Sequence, residues 1–137
     1  MKHDGTVTIT SLVTILLVTL HVAGDIVRGM APGNLTSLGL LTVIIVVWLY
    51  GTLFLPGRRG GSIILLLGSL FGLVVPILHM KGAGVGAGAA PTDGEFFFVW
   101  ILLALGASSG FLLVLAVRSL LGSRRTGPAS HQRGGAA

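Results

Sequence analysis

The chain has 137 residues, of which 53% are hydrophobic and only 9% charged, with a formal net charge of +5 and a mean hydropathy of +0.96. A soluble domain carries about 25% charged residues, so an ordinary globular protein is excluded and a small polytopic membrane protein is indicated. The lack of any cysteine removes disulfides, thiolate metal sites, iron–sulfur clusters and cysteine nucleophiles, and no basic patch with interleaved aromatics points to nucleic acid.

A short polar start holds Lys2, His3 and Asp4. Residues 7–27 follow as a mostly apolar run, long enough to cross a hydrocarbon core of about 30 Å. The same run read as a signal peptide would be cleaved near Ala23 or Gly24. Its length, and a histidine just before that point, favour a retained span. On a helical wheel Thr10, Thr14, His21, Asp25 and Arg28 fall within a sector of about 60°. Ionisable groups facing lipid cost several kcal/mol each, so this stripe predicts that the first helix is an inner wall.

Residues 31–34, APGN, form a turn in which Asn34 is placed to cap the next helix. Residues 35–55 are the second span, with Trp48 and Tyr50 expected as anchors at the membrane–water boundary. Residues 56–61, PGRRGG, are a second turn carrying Arg58 and Arg59. The third span covers 62–80 and contains Pro76, which predicts a kink before His79. A Gly/Ala-rich connection reaches Gly94 and the fourth span covers 96–121, with Phe97, Phe98 and Trp100 expected as boundary aromatics. Residues 1–121 thus read as one all-α transmembrane domain and 122–137 as a disordered basic tail.

Orientation follows from the cations. With four up-down antiparallel spans, Lys2, Arg58, Arg59, Arg118, Arg124, Arg125 and Arg133 share one side, while Arg28 and Lys81 lie on the other. The excess of positive charge predicts that both termini are cytoplasmic, in what reads as a bacterial inner membrane. His21, Asp25 and Arg28 then share the outer half with His79, Lys81 and Glu95, a predicted outward-facing polar pocket. Gly68-xxx-Gly72 and Gly106-xxx-Gly110 are small-residue patterns that allow close helix approach and are expected to face each other.

Four functions fit these residues. Two imidazoles and a carboxylate from His21, Asp25 and His79 suit a transition metal such as Zn, Cu or Fe. The two histidines on facing helices would also ligate a b-type haem, with Arg28 and Lys81 near its propionates. Asp25 and His21 would serve a proton- or ion-coupled carrier. Alternatively the polar groups are structural, in an accessory or assembly subunit of a larger membrane complex. No Ser/His/Asp set or phosphate loop marks an enzyme, and GAGVGAG follows a membrane helix rather than a strand, which rejects a nucleotide motif. So small a bundle buries little surface by itself, so a homo-oligomer or a larger complex is expected.

Overall fold

The computed structural model describes residues 2–29, 34–81 and 93–125, with side chains over 5–29, 34–79 and 96–122. Four helices account for nearly all of it: α1 (Lys2–Val27), α2 (Leu35–Phe54), α3 (Arg59–Lys81) and α4 (Asp93–Arg125). No strand occurs among the described residues. Each helix is long and apolar enough to cross a membrane, which makes this a multi-pass membrane protein. A spanning segment must satisfy its own backbone hydrogen bonds, and the helix does so within one segment.

The helices extend past the apolar runs that reveal them. α1 begins at Lys2 rather than residue 7, and α3 takes in Arg59, Gly60 and Gly61, which were expected in the turn. α4 starts at Asp93 and runs to Arg125, so Gly122 to Arg125, assigned to a disordered tail, are helical. Residues 126–137 lie outside the described residues. Hydropathy registers only the hydrocarbon slab, whereas a helix of 33 residues is about 50 Å long and continues into the polar layers. Asn34 caps α2 as expected, its side chain accepting from the Ser37 amide at 2.8 Å.

α4 is the spine, packing along α3 and along α1, while α2 lies on α3 and more lightly on α1. The core holds Ile15, Val18, Trp48, Leu65, Leu105, Leu112 and Ala116. Large apolar side chains such as Leu16, Val43, Leu67 and Leu103 point outward, the arrangement a bilayer rather than water accommodates. Of the five stripe residues, Thr14, His21 and Asp25 are buried, whereas Thr10 is half-buried and Arg28 is exposed, so the middle of the polar stripe lines the interior.

Trp48 departs from the expected boundary position. It is 2% exposed, and its Nε1 donates to Ser11 Oγ at 3.0 Å. Thr52 Oγ1 donates to the Trp48 carbonyl at 2.8 Å, so the 2.7 Å contact between Ser11 and Thr52 must be donated by Ser11. Three side chains from α1 and α2 thereby close a ring in which each donor is used. An indole N–H with a partner is cheap to bury, and the ring supplies that partner. Tyr50 does remain exposed, stacked on Phe54.

The glycines act separately rather than as two interlocking motifs. A side chain at Gly68 would run into the Trp48 indole, and one at Gly72 into Ser109. Gly106 lies against the Pro76 ring, while Gly110 has nothing close to it. Gly68 therefore seats α2, and Gly72 seats α4. Gly72 and Gly106 thus lie where α3 meets α4.

Candidate metal centre

α1 presents His21 and Asp25 one turn apart, and His21 Nε2 lies 3.3 Å from Asp25 Oδ2. α3 brings His79 to the same atom, with its Nε2 3.4 Å from Asp25 Oδ2. One carboxylate oxygen is thus flanked by two imidazole nitrogens from different helices. The imidazole rings are 4.8 Å apart between centroids and nearly perpendicular, at 84°. One ligand-competent atom from each of the three residues falls within 4.8 Å of the others. His21 is 2% exposed and Asp25 8%, so the group is inside the protein.

Local chemistry fixes one tautomer. His79 Nδ1 is 2.9 Å from the Val75 carbonyl oxygen. A carbonyl only accepts, so Nδ1 carries the proton and a neutral His79 presents the Nε2 lone pair to Asp25. A lone pair facing a carboxylate oxygen needs a cation or a proton between them. His21 Nδ1 and Asp25 Oδ1 are buried without a hydrogen-bond partner among the described residues, which leaves this polar cluster incompletely satisfied.

The third wall comes from α4, through a residue expected only as a boundary aromatic. Phe98 is 4% exposed and stacks on His21 at 5.2 Å and 29°, with His79 at 5.6 Å. The Arg28 guanidinium carbon lies 3.7 Å from the Phe98 ring centre, a cation–π contact. No Arg28–Asp25 ion pair forms among the described residues. Arg28 follows the last residue of α1 and reaches over the aromatic instead. The side chains of Lys81 and Glu95, also assigned to the pocket, lie outside the described residues.

Hydrocarbon lies next to the group along the bundle. Val18, one turn before His21, is buried, as are Ile101, Leu102 and Leu105 beyond Phe98 on α4. On α1, Val18 stands between His21 and the next buried hydroxyl, that of Thr14, and it packs in one cluster with Leu105. A haem does not fit. A macrocycle would have to lie between the two imidazoles, but the Asp25 oxygen within 3.4 Å of both leaves no layer for it.

Comparison of the chain with protein-family models, curated proteins and solved structures finds no match.

Proposed function

We propose that this chain is a small, non-enzymatic membrane protein that binds a divalent transition-metal ion, of which zinc is the representative, through His21, Asp25 and His79. The observation that carries the reading is the position of Asp25 Oδ2, at 3.3 and 3.4 Å from the two Nε2 atoms. Direct charge-assisted hydrogen bonds are shorter, about 2.7–2.9 Å. Bonds of about 2.0–2.2 Å from zinc to nitrogen and oxygen, at the tetrahedral angle, put neighbouring ligand atoms about 3.3 Å apart. Both edges from Asp25 match that spacing. The remaining imidazole–imidazole edge is at most 4.8 Å and has to shorten toward the tetrahedral spacing when the ion binds. The Val75 carbonyl on Nδ1 is the outer partner that metal-bound histidines typically have. A fourth position is left for water.

The same reading has the helices alternate up and down. Ser62 of α3 meets Ser119 of α4, Gly72 meets Ser109, and Pro76 meets Gly106. Rising numbers on one helix thus pair with falling numbers on the other. With the cations on one side, both termini are cytoplasmic and the metal lies in the outer half of a bacterial inner membrane. The hydrocarbon around Val18 and Leu105 favours a one-sided site over a carrier's transmembrane path. The outward apolar faces are free to meet lipid, further copies of the chain or another membrane protein.

The test is metal content after purification in detergent, equilibration with zinc and removal of unbound ion. Wild type should retain about one zinc per chain, and His21→Ala and His79→Ala should fall to background. Equal content in all three proteins would overturn the assignment.

A further inference from the structure

Between α2 and α3 a groove of about 330 Å³ is lined by Val43, Ile44, Val47 and Trp48 on one side and by Ile64, Leu67, Gly68 and Phe71 on the other. No polar atom contributes to its wall. The Trp48 nitrogen is turned away to Ser11, leaving ring carbons as the floor, and Gly68, which lacks a side chain, lets that ring lie close to α3. Water gains nothing in such a cleft, whereas a hydrocarbon chain fills it with dispersion contacts.

One end of the groove is marked by charge. Arg58 ends the turn that joins the two groove-forming helices, and Arg59 is the first residue of α3. The turn is tight: Gly57 is in the left-handed region at φ +71, and the Arg58 amide donates to the Leu55 carbonyl at 3.2 Å. A side chain at Gly61 would strike that same Leu55 carbonyl, so the arginine-bearing turn is held against the helix ends. From Arg59 the helical rise puts Ile64 about 7 Å and Phe71 about 18 Å into the membrane. One leaflet of the hydrocarbon core is about 15 Å deep. The groove therefore covers the depth of one acyl chain whose headgroup sits at the arginines.

We propose that this groove is a binding site for an anionic phospholipid, with an acyl chain between α2 and α3 and the phosphate headgroup beside Arg58 and Arg59. Hydrocarbon alone would accept any lipid. The arginine pair adds the selection for negative charge, on the order of fivefold per cation near the surface.

Two tryptophans make this measurable. Trp48 lines the groove, while Trp100 is exposed on α4. In the Trp100→Phe variant, reconstituted in nanodiscs, Trp48 is the sole reporter. Lipids brominated along the acyl chain quench a tryptophan they touch. Half-maximal quenching of Trp48 should need roughly 25-fold less brominated phosphatidylglycerol than brominated phosphatidylcholine, from the combined pull of two cations. Combining this variant with R58Q and R59Q should erase that preference while phosphatidylcholine still quenches. The Trp48→Phe variant, reporting from Trp100, should show little preference. A preference that survives loss of both arginines, equal quenching by both lipids in the parent, or a Trp48 that neither lipid quenches would each overturn the assignment. The last outcome would mean that the groove is closed or covered by a second copy. Zinc content should be the same in every one of these variants, so failure here and failure of the metal reading are separable.

Discussion

Replacing Asp25 by Asn keeps the side-chain shape and removes the charge between His21 and His79. If the three residues bind zinc, this change removes the anionic ligand. Losing an outer-shell partner already costs 10–100-fold in metal affinity, and losing a ligand itself should cost at least about 100-fold. At a free zinc concentration about 100 times the wild-type Kd, binding stabilises wild type by about 2.7 kcal/mol. The variant, with its Kd raised to that concentration or above, gains at most about 0.4 kcal/mol. At roughly 4 °C per kcal/mol for a chain of this length, zinc should raise the wild-type Tm by about 10 °C and that of D25N by less than about 2 °C. Thermal unfolding in detergent, with chelator and with zinc, reads both numbers. The competing account is a structural ion pair, for which breaking a buried pair costs about 3–5 kcal/mol. If zinc moves neither protein while D25N lowers the metal-free Tm by more than about 10 °C, the cluster holds the helices together and binds no metal.

Protons compete with metal for imidazole nitrogen, so zinc retention should decline between about pH 7 and about pH 5, the range in which histidine charges. Retention that is flat across that range would exclude imidazole ligation. Phe98→Ala removes the ring against His21, His79 and Arg28 and should cost about 2 kcal/mol in detergent-induced unfolding, below the roughly 3–5 kcal/mol of a buried aromatic in a soluble core because lipid reduces the transfer contribution. Phe97→Ala, at an exposed site on the same helix, should have no measurable effect. Gly68→Leu forces a side chain into the Trp48 indole and should destabilise by about 1–3 kcal/mol, with a changed Trp48 emission as its signature. The chain has no cysteine, so single introduced thiols report topology cleanly. In intact cells an impermeant maleimide should label Thr36→Cys and leave Arg58→Cys and Gly122→Cys unlabelled, and the opposite pattern would invert the orientation.

The amino-acid order by itself determines the four crossings, because the free energy of moving a segment into hydrocarbon sums over its own residues and needs no knowledge of neighbours. It also determines that α1 turns His21 and Asp25 inward, since charge is the one property a lipid-facing helix surface rejects. The structure brings His79 to the same carboxylate oxygen from α3. Only the folded bundle decides the rest. On α4, Phe97 and Phe98 are equally apolar, yet one faces outward and the other closes the site. On α2, Trp48 is drawn into the core by Ser11 and Thr52, which are 37 residues away and four residues away in sequence respectively. In water, burial sorts apolar from polar faces and leaves a periodic trace. In a bilayer every face is apolar, so the choice of inner face falls to shape, small residues and matched hydrogen bonds, which exist only once the helices have met.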